Sequence, residues 1–138
     1  MDQLTLIVKS MPENESLVRS LIGAYAARKN PNIEVINDIK TAVSEALSNS
    51  IIHGYSDDAT KDIHIDAELA DDALTVSIRD FGVGIADIKK ATSGFFTTKP
   101  ELEHSGLGFT IMQAFMDSVD VNSKINEGTT ITMKKRLV

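Results

Sequence analysis

Three groups of residues in this 138-residue chain have the types and spacing for chemistry. Glu45 and Asn49 stand four apart, so on a helix a carboxylate and an amide project side by side from one face. Asp80 leads into Phe81-Gly82-Val83-Gly84 at the end of an alternating apolar run. Glycines two apart let the backbone turn sharply and approach a ligand more closely than a Cβ allows. A carboxylate at the base of that turn can accept a hydrogen bond from an amino group held there. Ser105-Gly106-Leu107-Gly108-Phe109 opens a helical pattern. Glycines at a helix start leave backbone N–H groups unpaired beside the positive end of the dipole, which suits phosphate oxygens. Just upstream, Thr97, Thr98 and Lys99 add two hydroxyls and a cation with the reach to join them. Each group alone has an ordinary counterpart: a solvated helix face, a surface turn, a plain helix start.

Holding these groups together requires a particular set of elements. Ile36, Ile39, Val43, Ala46, Leu47 and Ile51 recur at three- and four-residue steps, which predicts a helix from about Ile33 to His53, closed by Gly54 as a glycine cap. A short strand, Leu4 to Val8, precedes an earlier helix that starts at Pro12 with Glu13 and Glu15 in its first turn and runs to about Lys29. Its expected buried stripe is Leu17, Leu21, Ile22 and Ala24 or Tyr25, leaving Arg19 and Arg28 outside as solvated cations. Beyond Lys61 the period falls to two. Ile63 to Leu69 and Leu74 to Ile78 then form a hairpin about Asp71-Asp72, and its second strand delivers Asp80. Asp87 to Ser105 is irregular and long enough to read as a lid or binding loop. A helix after Gly108 carries Ile111, Met112, Phe115 and Met116, with Met112 and Phe115 read as core. Two strands, Val119 to Ser123 and Thr129 to Lys135, follow around Asn126-Glu127-Gly128. The order β-α-α-β-β-α-β-β predicts an α+β fold: a two-layer α/β sandwich with a mixed, mostly antiparallel sheet and its helices on one face.

Composition narrows the function. The length suits one domain over residues 1–138, and hydrophobic content of 42% with 25% charged residues is that of an ordinary soluble protein. No apolar run reaches the length of a membrane span, and the N-terminus lacks a basic segment followed by an apolar one, so the expected location is the cytoplasm, away from membranes. Absence of cysteine removes disulfides, thiol catalysis and cysteine zinc sites. A net charge of −6 without a Lys/Arg patch argues against direct nucleic-acid binding. Asp80-Phe81-Gly82 suggests a eukaryotic-type protein kinase, but the Gly-rich loop with its strand lysine and the His-Arg-Asp loop of such enzymes are missing.

Taken in order, Glu-x-x-x-Asn on a helix, Asp-x-Gly-x-Gly at a strand end, a long loop, and Gly-x-Gly opening a helix resemble the N, G1 and G2 boxes of the GHKL superfamily of ATP-binding domains, which has the Bergerat fold. Within it, Ser44-Glu45-Ala46 to Asn49, Ile51-Ile52-His53-Gly54-Tyr55, Phe96 to Glu103 and Gly108-Phe109-Thr110-Ile111-Met112 look like the sporulation anti-sigma F factors. The resemblance implies ATP/ADP and Mg²⁺ as cofactors, a sigma factor of the sigma F type held inactive, a serine of an anti-anti-sigma factor as phosphorylation substrate, and a homodimer. It makes Glu45 the general base and Asn49 the Mg²⁺ ligand, which fits a hard cation held by few protein groups. Asp80 would bind the adenine amino group, with Gly82 and Gly84 giving close approach and Thr130 assisting from the neighbouring strand. Ser105, Gly106, Leu107, Gly108 and Phe109, with Thr98 and Lys99, would wrap the phosphates. His53 either lines the pocket or packs at the helix end. Arg19 becomes the partner contact, and strand Leu4 to Val8 is a candidate dimer edge. His104 stands where this family carries an arginine, and Phe81 is unusual within its box. A nucleotide-gated binding module without turnover is the alternative. A histidine-kinase catalytic domain fits less well, because the first 30 residues hold no histidine, and the gyrase and MutL types need further domains.

Overall fold

Alternation organises the sheet from its first strand. In β1 (Asp2–Lys9), Leu4, Leu6 and Val8 turn toward the interior and Gln3, Thr5, Ile7 and Lys9 turn out. The computed structural model describes residues 2–92 and 108–138. β2 (Asp62–Ala70) and β3 (Ala73–Asp80) keep the same parity, and Asp71 and Asp72 between them both take positive φ, 52° and 60°. That is the two-residue turn whose twist matches a hairpin. β4 (Ser118–Lys124) and β5 (Gly128–Arg136) form a second hairpin. Among the described residues the strand order is β1-β2-β3-β5-β4 and all four pairings are antiparallel, so where a mixed, mostly antiparallel sheet was expected these strands pair in antiparallel fashion throughout. β1 and β4 are its edges.

Two helices cover the interior face before the first hairpin. α1 (Pro12–Ala27) starts with proline in its first turn beside Glu13 and Glu15, and buries Val18, Ile22, Tyr25 and Ala26. Leu17 and Leu21, expected inside, are 50% and 39% exposed. Gly23 explains the offset. It faces the neighbouring helix so closely that a Cβ there would stand 3.0 Å from Lys40 Cδ. Residues two apart on a helix lie on opposite sides, so burying Gly23 turns Leu21 out. α2 (Ile33–Ser48) buries Ile39, Ala42, Val43, Ala46 and Leu47. The single helix expected to reach His53 instead becomes a π-helical turn over Asn49–Gly54, with Tyr55 N–H reaching back to Ser50 O at 2.9 Å. π-turns are rare and concentrate at functional sites.

A one-turn helix α3 (Ile88–Ala91), capped by Asp87 Oδ1 on Lys90 N–H at 3.0 Å, lies at the start of the stretch expected to be irregular. α4 (Gly108–Phe115) packs on α2 and buries Phe109 and Met112, while Phe115, expected in the core, is 36% exposed. The core lies between helices and sheet, with Ile22, Ile39, Leu47 and Met112 above Ile65, Ile78, Ile131 and Met133. No helix among the described residues is long and apolar enough to cross a membrane.

Candidate functional site

Asp80 ends β3 on the interior face, by the same parity that buries Leu74, Val76 and Ile78, and it is 1% exposed. Three segments close on it with a glycine at each contact. A Cβ on Gly54, the last residue of the π turn, would lie 2.8 Å from Asp80 Oδ2. On Gly82 it would lie 2.0 Å from Gly54 O, and on Gly128, whose φ is +112°, 2.1 Å from Asp80 O. Any side chain at these positions would push the segments apart. Gly54 was expected as a helix cap; its actual demand is contact with the carboxyl group. Gly84, at φ +76° and with only 2.1 Å from its would-be Cβ to Lys124 O, is the turn the sequence pattern required.

Hydrogen bonds lock the loop after β3 in place. Val83 N–H donates to Gly54 O at 3.0 Å, and Asn126 N–H to Val83 O at 2.8 Å. Tyr55 Oη accepts from Phe81 N–H at 2.7 Å and donates to Asp62 O at 2.6 Å. Ser123 Oγ accepts from Ile85 N–H at 2.7 Å, lies 2.8 Å from Thr129 Oγ1, and is 3.0 Å from Gly128 O. Sequence reasoning missed Tyr55, Ser123, Gly128 and Thr129 in this role. A glycine at the start of the last strand, Gly128, was the available signal. Phe81 follows Asp80 by one residue and so turns to the outer face, where Arg79 lies 4.6 Å over its ring and His64 meets it edge-on at 5.1 Å. Its unusual identity therefore leaves the interior untouched.

The electrostatics of Asp80 point to a missing partner. Its Oδ1 accepts from Gly82 N–H at 3.0 Å, whereas Oδ2 is buried with no hydrogen-bond partner among the described residues. Burial pushes the carboxyl above the usual carboxylate range, against the opposing pull of Gly82 N–H, the Ser50 hydroxyl and Thr129 N–H. A buried acceptor left unpaired is costly unless something completes it. An exocyclic amino group, a donor without acceptor capacity when conjugated to a base, is the complement. The residues present therefore fit a nucleotide whose base carries such an amino group, held at this end of the sheet.

Glu45 lies in the last turn of α2 and Asn49 opens the π turn one step on; both are half-buried. His53 is half-buried in the same turn, directly before Gly54, the residue that packs on Asp80. One continuous segment thus carries the carboxylate, the amide and the glycine that touches Asp80. No three His, Asp or Glu side chains converge as a metal site among the described residues. Asn49 offers a single amide oxygen, which could hold a hard cation only together with donors from a bound ligand.

The remaining expected site residues divide into those the structure describes and those outside it. Thr130 pairs with Arg79 and shares its outward face, whereas Thr129 pairs with Asp80 and is buried beside it. The strand neighbour of the carboxyl group is therefore Thr129. Gly108 begins α4, and the side chain of Phe109 is in the core. Arg19, expected as a solvated cation, is half-buried and donates to Ser44 Oγ and Ser16 Oγ. Thr98, Lys99, Ser105, Gly106 and Leu107, together with His104, lie outside the described residues.

Comparison with known proteins bears on the family and the fold. Residues 8–135 match the histidine kinase-like ATPase domain model. The anti-sigma F factor of Clostridium perfringens (strain SM101) is 46% identical over 135 residues, covering 98% of this chain and 95% of the relative. That of Geobacillus thermodenitrificans is 46% identical over 136 residues, covering 99% and 93%. Among solved structures, the RsbU and RsbW domains of a Mycobacterium tuberculosis protein superpose with a TM-score of 0.70 at 21% identity, over 99% of this chain and 33% of that one. The mycobacterial sensor histidine kinase MprB gives 0.58 at 19% identity, over 75% and 74%. These two support the fold alone. With the ATPase-domain match spanning nearly all of it and the curated relatives matching end to end, the chain belongs to the histidine kinase-like ATPase (GHKL) family, in the branch of the anti-sigma F factors.

Proposed function

We propose that this protein is an ATP-dependent anti-sigma factor, which holds a sigma factor of the sigma F type inactive and phosphorylates a serine of an anti-anti-sigma factor. The observation that carries the reading is Asp80: a buried carboxyl with one oxygen unpaired, enclosed by glycines at a strand end, and joined through the π turn to Glu45 and Asn49. Asp80 binds the adenine amino group. Glu45 accepts the proton of the attacking serine hydroxyl as that oxygen bonds to the γ-phosphorus and ADP leaves. Asn49 would hold Mg²⁺ through its amide oxygen, and the ion would neutralise phosphate charge. Thr98, Lys99 and the Ser105 to Phe109 segment hold the phosphates by their hydroxyls, ammonium and backbone N–H groups. His53 borders the nucleotide, and Arg19 contacts the protein partners. The working form is a cytoplasmic homodimer.

The test is transfer of labelled phosphate from Mg-ATP to a serine-bearing anti-anti-sigma protein. Stoichiometric, Mg²⁺-dependent labelling that falls at least about 100-fold in Glu45→Gln, as loss of a general base requires, supports the reading. Tight ATP binding with no transfer by the unaltered protein would move the function to a nucleotide-gated binding module.

A further inference from the structure

On the outer side of the α1/α2 contact, positions four apart on α1 meet positions four apart on α2 in antiparallel order. Ser48 Oγ donates to Glu15 Oε2 at 3.3 Å, and Arg19 Nη1 donates to Ser44 Oγ at 3.3 Å while its Nη2 donates to Ser16 Oγ at 3.4 Å. The next step is Gly23 against Lys40, which sets the distance between the helices. Ser44 and Ser48 each directly precede a residue of the site, Glu45 and Asn49. Successive residues of an α-helix are turned by about 100°. One face of α2 is thus tied to α1, and the adjoining face presents the carboxylate and the amide.

We propose that Glu15, Arg19, Ser44 and Ser48 are positioning residues for phosphoryl transfer, a ladder that sets the rotation of α2 and with it the placement of Glu45 and Asn49. The inference rests on Glu45 being the base and extends that reading to α1. It also gives Arg19 a second task. The acceptors that hold its guanidinium, Ser44 Oγ and Ser16 Oγ, are neutral hydroxyls, which compete poorly with a carboxylate for the same donors. A partner carboxylate that takes Arg19 therefore releases the Ser44 rung, one residue from the base, and occupancy of α1 is registered in the transfer step.

Ser44→Ala tests this with little risk to folding, because alanine is the better helix former. In the full chain, with Mg-ATP and saturating anti-anti-sigma substrate, Ser44→Ala is expected to lower kcat by roughly 3- to 30-fold, the scale of a modest misplacement of a reacting group. The KM for ATP stays within about twofold and the thermal midpoint is unchanged, whereas Ser44→Thr, which keeps the hydroxyl, restores kcat. Arg19→Ala and Ser44→Ala act through one bond, so the double variant is expected to transfer no more slowly than Arg19→Ala alone. A wild-type kcat in Ser44→Ala, losses that multiply in the double variant, or a parallel fall in thermal midpoint and ATP affinity would each overturn the ladder. Glu45→Gln, run alongside, separates the two readings. If it abolishes transfer while Ser44→Ala leaves it untouched, the ladder alone fails; if it transfers normally, the assignment of the base fails and the ladder falls with it.

Discussion

Asp80 is the residue at which stability and binding pull apart. Folding raises its pKa, so the protonated form is the one the fold favours. That contribution is complete below the unfolded value of 3.8 and is lost as pH rises through the higher folded one, leaving a cost at neutral pH. Asn at this position removes the charge and keeps the size. Asp80→Asn should therefore hold its unfolding free energy at pH 7 within about 1 kcal/mol of the parent, the scale of one ordinary hydrogen bond. Its amide, however, turns a donor toward the place where the unpaired Oδ2 now offers an acceptor. Binding of an adenine amino group should fall about 10- to 100-fold, corresponding to one unpaired buried donor. Calorimetric titration with ATP checks the second half and urea unfolding the first. Undiminished ATP affinity in a folded Asp80→Asn would remove Asp80 from the nucleotide site.

Elements carry the site only if they are held at the right angle, and α4 shows how. Lys135 of β5, its side chain 15% exposed, donates to Phe115 O at the C-terminal end of α4 at 2.6 Å and lies 3.4 Å from Asp38 Oδ2 of α2. A cation at a helix C-terminus satisfies a carbonyl the helix cannot and meets the negative end of its dipole. Lys135→Met keeps the length and loses the donor, and is expected to cost about 1–3 kcal/mol in urea unfolding with the same denaturant slope. Asp38→Asn, which leaves the bond to α4 in place, should cost less than about 1 kcal/mol. Equal losses in the two variants would contradict this. Local pattern made the elements themselves legible: period two fixes the faces of β2 and β3 down to Asp80, and period 3.6 locates α2. The misses share a physical cause. Thr130 was one residue from Thr129, and in a strand one residue is the difference between faces. Leu17 and Leu21 looked buried because composition does not reveal that Gly23 faces α2. The π turn at Asn49–Gly54 has no local signal at all, since it answers to the distant carboxyl group that Gly54 touches.

Across the whole molecule, helices on one face leave the sheet's first strand at an open edge, and the fold needs something to hold its beginning. Tyr25 of α1 does so, with its hydroxyl 2.8 Å from both Asp2 O and Asp2 Oδ1. Burial first, then the Asp2 carboxylate, pushes the Tyr25 pKa up to about 12, while the Tyr25 hydrogen bond, opposed by burial and aided by Arg28, lowers that of Asp2. The two shifts bound a window. Because Tyr25 titrates higher in the folded chain than the value near 10 of an unfolded one, its contribution is complete below about pH 10 and is lost between there and about 12. The Asp2 contribution is present above its unfolded value and fades as pH falls through the lowered one. Tyr25→Phe is therefore expected to be less stable than the parent at pH 8 and to lose less on going to pH 11, so that the two urea midpoints converge. Midpoints that fall in parallel between pH 8 and 11 would show that the strand edge is held by apolar packing and that the phenol proton takes no part.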